Sequence, residues 1–219
     1  MSTVEHNSAE QRFLLRGISW QTYQELRNSP ENEHVRMTYQ EGELAMMSPS
    51  KTHEQYASLT DRLLQVWTLE HDIDIQSCRT VTFKREDLQH GLEPDNCYYV
   101  ANESFVRNHP ELDLTADPPP DLAVEIDLGG GGRNKLAMYA AFRVPEVWWF
   151  DGRRLQVFVL ENKSETGGRA AEWQYEEREA GVSFPALPPA EIERVLAKLG
   201  TASETTLVKS FRDWMRTRT

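Results

Sequence analysis

The sequence predicts an α/β protein built on a mixed sheet flanked by helices, and three observations carry that prediction. Short apolar runs of strand length, Leu122 to Leu128 and Val147 to Phe150, are filled by Leu, Ala, Val, Ile, Trp and Phe. Segments with helical spacing, such as Tyr56, Leu59, Leu63 and Val66, lie between strand-like runs. Interleaving of the two patterns argues for α/β and against an all-β sandwich.

Taken in order, Met1 to Gln11 is polar and expected to fray. Ser19 is placed to cap a helix in which Trp20, Tyr23 and Leu26 recur at helical spacing. Asn28 to Glu33 is a turn-rich break. From Val35 to Met47 apolar and polar residues roughly alternate, interrupted at Glu41-Gly42, which predicts a hairpin with Glu43 just beyond its turn. Thr52 and Gln55 have the spacing of a capping box, so the next helix is expected to start there, with His53 in its first turn. A strand is expected over Asp72 to Phe83, a charged turn over Lys84 to Gly91, and a strand carrying Asp95 over Glu93 to Ala101.

Asn102 to Leu114 reads as a short helix or lid. Asp117 to Pro120 then makes a stiff, extended entry to the strand carrying Glu125. Leu136 to Phe142 is apolar or small at every position and predicts a helix buried nearly all round. Asp151-Gly152 is a hairpin turn joining Val147–Phe150 to Leu155–Leu160. Trp148 and Trp149, adjacent on a strand, are expected on opposite faces. Glu161 to Ala171 reads as a polar loop, Trp173 to Glu179 as a further strand, and Phe184 to Pro189 as a proline-rich linker. Two helices follow, one with Ile192, Val195, Leu196 and Leu199 on a face, the other with Leu207, Phe211 and Trp214. The expected organisation is one domain over residues 1–185 and a helical extension over 186–219.

A net charge of −11 over 219 residues repels phosphate backbones, which excludes generic, strong nucleic-acid binding; a nucleic-acid substrate would need a local basic face. From Lys198 onward there are five basic residues and two acidic, a DNA-facing patch or a solvated amphipathic helix. No run is long enough to span a membrane and no apolar signal core is present, so a cytoplasmic protein without membrane contact is expected. Cys78 and Cys97 have neither zinc spacing nor a disulfide framework and read as reduced thiols; a hydrolase built on Cys97 and His53 has no local support.

The chemistry concentrates between Asp95 and Lys135. Glu125 and Asp127 sit inside an apolar strand, two residues apart and therefore on one face. Buried ionised carboxylates are costly unless positive charge meets them. A divalent cation held by Glu125 and Asp95, with Lys135 close by, would supply it. A buried Glu125–Lys135 ion pair with Asp95 capping a turn is the plainer account. Between them runs Gly129 to Gly132, a turn whose ordering is entropically costly.

Pro94-Asp95 on one strand, Glu125 on the next and Lys135 nearby resemble the PD-(D/E)-x-K nuclease superfamily. The likeness is closer to one branch, the Uma-type restriction endonucleases. It rests on Gly42 to Pro49 with His53, Leu92 to Asp95, Pro119 to Glu125, Lys135 to Tyr139 and Val144 to Trp148. The resemblance implies a restriction endonuclease-like fold and a metal-dependent endonuclease that hydrolyses DNA phosphodiester bonds. Asp95 and Glu125 would hold Mg2+ or Mn2+, Lys135 and Asp127 would serve the reaction, and Glu43 and His53 would be an accessory acid and a carboxylate-orienting or phosphate-contacting group. DNA would be the substrate, and a homodimer is compatible. The chain departs from the pattern twice: Asp127 stands where the superfamily's Glu-x-Lys has lysine, and Gly129 to Gly132 replaces expected Ser and Thr. The alternative is a non-catalytic subunit of the same fold that binds or oligomerises.

Overall fold

The computed structural model describes residues 11–79, 81–109, 111–130, 132, 134–163 and 173–217. The polar start before Gln11, Gly131 of the glycine run and most of the loop expected over Glu161 to Ala171 lie outside them. The described chain begins in β1 (Gln11–Arg16), a strand exposed along its whole length. It enters α1 (Trp20–Asn28) at Ser19, whose hydroxyl accepts from the Thr22 amide as an N-cap. After a 3-10 turn (Pro30–Asn32), β2 (Arg36–Gln40) and β3 (Glu43–Ser48) form the expected hairpin. Glu41 and Gly42 both take positive φ, 46° and 91°, as a two-residue turn matching strand twist requires.

Helix α2 (Lys51–Glu70) starts two residues earlier than expected: Ser50, not Thr52, caps it by accepting from the His53 amide. The long strand expected over Asp72 to Phe83 is instead two pieces, β4 (Gln76–Ser77) and β5 (Phe83–Arg85), which join different sheets. The break falls where the Val81 amide closes a turn onto the Cys78 carbonyl. β5 returns through the expected charged turn to β6 (His90–Leu92), and β7 (Asn96–Tyr99) follows directly. α3 (Glu103–Arg107) precedes β8 (Leu122–Ile126), buried at every residue, and then α4 (Lys135–Ala141). β9 (Glu146–Phe150), β10 (Leu155–Asn162) and β11 (Trp173–Arg178) complete the strands, and α5 (Pro189–Leu196) and α6 (Glu204–Arg216) end the described chain.

The six-stranded sheet has the order β11-β10-β9-β8-β7-β4 and is mixed, because β8 and β9 run parallel while its other pairs are antiparallel. A second sheet, wholly antiparallel in the order β1-β3-β2-β6-β5, is an addition to the single central sheet expected. On one face of the mixed sheet Leu122, Val124, Ile126, Trp148 and Phe150 pack with Leu59 and Leu63 of α2 and with Ile192, Val195 and Phe211 of α5 and α6. On the other face Ala123, Val147 and Trp149 meet Met138, Tyr139 and Phe142, joined by Phe83 and Leu92 of the second sheet. Helices therefore flank both faces, and the two tryptophans part as a period of two demands.

Two expectations fail on burial. Only Met138 and Tyr139 of α4 are buried, and Ala137 is exposed: alanines made the run look uniformly apolar, yet alanine tolerates solvent. Phe184 and Leu187, in the stretch read as a linker, are fully buried in the main core. Arg62–Glu204 at 2.9 Å and Arg216–Glu70 at 2.7 Å further tie α6 to α2, so Arg216 of the C-terminal basic stretch already has a carboxylate partner. No helix among the described residues is long and apolar enough to cross a membrane.

Candidate functional site

In the antiparallel ladder of β7 and β8, Asn96 faces Val124 and Cys97 faces Ala123. One step further the register sets Asp95 beside Glu125. Pro94 offers no amide for pairing, and Asp95 takes over the end of the ladder itself. Its amide donates to the Val124 carbonyl at 3.2 Å, and its Oδ2 accepts from the Ile126 amide at 2.7 Å. The same Oδ2 lies 3.2 Å from Nε2 of His53, fully buried in the first turn of α2. Glu125 is met from α4: Oε2 accepts from Lys135 Nζ at 2.7 Å and Oε1 accepts from the Tyr139 hydroxyl at 2.5 Å. Lys135 and Tyr139 are one helical turn apart, so a single helix face delivers both donors.

The charges in this cluster set one another. Burial raises the Glu125 pKa above the usual carboxylate value and the neighbouring Asp95 adds to the rise, while Lys135 opposes it. Burial also acts to raise Asp95, but His53, Lys135 and the Ile126 amide outweigh it and hold Asp95 below its ordinary value. Lys135 is likewise penalised by burial, yet Glu125 and Asp95 win and raise its pKa. It is an ammonium group here, a fixed cation rather than a proton acceptor. Burial, with the charge of Glu125, pushes the Tyr139 hydroxyl well above its ordinary value, so it remains a donor.

The cluster opens on a cleft of about 330 Å³, with Glu125, Asp127 and Lys135 on one side and Arg12, Arg36 and Glu43 on the other. Asp127 stands just beyond the end of β8. It shares the cleft with Glu125 but not its cation: Oδ1 pairs with Arg12 at 2.9 Å and Oδ2 accepts from the Gly132 amide at 3.1 Å. A shared strand face therefore does not mean a shared cation: Lys135 serves Glu125, and Arg12 serves Asp127. Glu43 lines the cleft from an exposed position, where it pairs with Arg16 at 2.9 Å. Asp95, Glu125, Lys135 and His53 are thus brought into one cluster, Asp127 lies alongside, and Glu43 stands apart across the cleft. Cys97 is no nucleophile: burial pushes its thiol well up and it donates to the Cys78 carbonyl.

Arg12 and Tyr139 are participants that the sequence did not single out. Tyr139 was detectable, since a residue four beyond Lys135 on a helix shares its face. Arg12 carries no local signal, because its partner lies 115 residues away.

For a divalent ion, the available donors are the carboxylate oxygens of Asp95, just before β7, and of Glu125 on β8. Among the described residues no group of three or more His, Cys, Asp or Glu makes a ready cage. Mg2+ needs none, since it binds through one or two carboxylates and keeps several waters. The raised Glu125 pKa reflects burial first and repulsion from Asp95 second, and a bound cation would offset both. The donor set therefore fits Mg2+ or Mn2+ better than a soft or nitrogen-preferring metal.

Fold and cluster together define an α/β protein with a buried carboxylate–lysine centre at the wall of a cleft. The chain belongs to the Uma2 family, whose description is putative restriction endonuclease and which it matches over residues 20–197. A solved structure of a putative nuclease from Anabaena variabilis ATCC 29413 aligns with it at 15% identity and a TM-score of 0.44, covering 80% of this chain and 90% of that one. No curated protein matches the chain.

Proposed function

We propose that this protein is a Mg2+- or Mn2+-dependent endonuclease that hydrolyses DNA phosphodiester bonds. The observation that carries the reading is the buried Lys135 ammonium at 2.7 Å from Glu125, beside Asp95, on the wall of a cleft. The family match supports it.

Asp95 and Glu125 would hold the ion, which when bound polarises the phosphate and lowers the pKa of water. His53 and the Ile126 amide keep Asp95 ionised and fixed in direction, as a metal ligand must be. Tyr139 fixes the second carboxylate. Lys135, held as a cation, stabilises negative charge that develops on the phosphate oxygens. Asp127, through Gly132 and Arg12, sets the glycine turn that leads into α4 and so positions Lys135. Glu43, which lines the opposite side of the cleft, would serve as an accessory acid.

Nicking of supercoiled plasmid with and without Mg2+ tests the reading. Cleavage should require the metal, and Lys135→Met should lower it by about 10²-fold or more, as loss of a charge-stabilising donor does. Mg2+ should also raise the melting temperature by linkage, and Asp95→Asn or Glu125→Gln should remove that rise. A wild type that shows no metal-dependent nicking would instead be the non-catalytic subunit, and the nuclease reading would fall.

A further inference from the structure

The wall of the cleft facing Lys135 is one face of the second sheet, and its residues fall in register. Arg12 of β1 and Arg36 of β2 both pair with Met47 of β3, which gives a cross-strand row of Arg12, Met47 and Arg36. The next row is Leu14, Ala45 and Thr38, and both rows line the cleft. Two guanidinium groups two strands apart, roughly 10 Å by the spacing of neighbouring strands, thus flank an apolar floor. Arg12 is engaged by Asp127, whereas among the described residues no carboxylate forms an ion pair with Arg36. A half-buried guanidinium without a carboxylate, in a cleft of a protein with a net charge of −11, is complementary to an anionic ligand.

The floor narrows the ligand further. A duplex turns sugars, phosphates and base edges toward a protein and keeps the faces of its bases stacked, out of reach of Leu14, Ala45 and Met47. An unpaired strand also presents the faces of its bases; single-strand sites combine cationic groups with aromatic side chains for that purpose, and here Trp149 lines the cleft beside the aliphatic floor. Depth argues the same way, because Glu125 is 3% exposed and Lys135 15%. A phosphate must enter the cleft to reach them, which a flexible single strand does more easily than a rigid duplex.

We propose that this cleft takes a single DNA strand, an unpaired or frayed segment, with Arg36 holding a phosphate next to the one at Lys135 and the apolar floor receiving a base. The assignment rests on the nuclease reading for the direction in which the strand faces Lys135. It places the basic face that the acidic composition demands on β1 and β2 and not on the C-terminal helices.

The test is fluorescence anisotropy of the full chain with a labelled DNA oligonucleotide, alone or annealed to its complement, with Ca2+ replacing Mg2+. The single strand should bind more tightly than the duplex. Arg36→Gln should weaken single-strand binding about tenfold and reduce the slope of log affinity against log salt by about 0.7, the share of one phosphate contact. Arg36→Lys should restore most of the slope, and melting temperatures should show both variants folded. Under Mg2+, Arg36→Gln should raise KM more than it lowers kcat. Tighter binding of the duplex, or an Arg36→Gln variant with wild-type affinity and slope, would overturn the proposal. Single-strand binding through Arg36 without cleavage would remove the nuclease reading and leave the strand site standing; cleavage indifferent to Arg36 would do the reverse.

Discussion

On the proposed function, Lys135 joins stability and chemistry in one side chain. Removing one partner of a buried ion pair usually costs about 3–5 kcal/mol. Lys135→Met should cost less, about 2 kcal/mol, because Glu125 already has a raised pKa and can take up a proton while Tyr139 still donates to it. Urea denaturation of Lys135→Met, Glu125→Gln and the double variant checks this: the second substitution should cost little once the first is made. Asp95 gives a pH signature in metal-free buffer. Its folded pKa lies below the unfolded value of about 3.9, so its contribution to stability is complete above that value and is lost as pH falls through the lower, folded pKa. Asp95→Asn should therefore flatten the acid limb of stability below about pH 4, measured by melting temperature against pH. Glu125 was legible in the sequence because charge inside an apolar run demands a partner, and Asp95 and Lys135 were legible chiefly through the family resemblance. The division of cations was not: nothing along the chain says that Asp127 takes Arg12 and leaves Lys135 to Glu125.

At the scale of elements, backbone geometry decides what substitutions do. Gly130 has φ +66° with nothing near the position a Cβ would take, so Gly130→Ala meets strain without collision. It should destabilise by about 1 kcal/mol, read from the urea midpoint. Gly91 of β6 is the opposite case. Its φ is ordinary, but a Cβ there would lie 2.3 Å from the Tyr23 hydroxyl oxygen. Tyr23 stacks on Tyr39 at 4.9 Å under α1, so Gly91→Ala must push a packed ring aside, at a cost of about 1–3 kcal/mol. The hairpin of β2 and β3 could be read in advance, since alternation and a Glu-Gly turn are both local. The break between β4 and β5 could not, because it arises from two sheets competing for one stretch of alternating residues.

Over the whole molecule, the division into residues 1–185 and a helical extension meets a packed interface. Ile192, Val195, Leu196, Leu207, Phe211 and Met215 are all buried in the cluster that also holds α2 and the mixed sheet. Each such side chain contributes about 1.5–3 kcal/mol by burial, and six together reach on the order of 10 kcal/mol, as much as a typical domain's entire stability. A chain ending at residue 185 is therefore expected to lack a cooperative melting transition; a sharp one would show that the first segment folds by itself. The α/β class was legible from strand and helix patterns, but the cleft was not, since one wall comes from β1, β2 and β3 and the other from β8 and α4. The Arg12–Asp127 bridge joins those walls across 115 residues of chain. On a ribosome, β1 leaves the exit tunnel long before the turn it must meet, and before α6, which helps to seal the core behind β8. Folding that depends on such distant pairings is slow. A nascent chain with this connectivity carries Arg12 and Arg36 on β1 and β2 well before β8 and α4 supply the opposite wall, so on the proposed function it would gain its hold on DNA only late in its own synthesis.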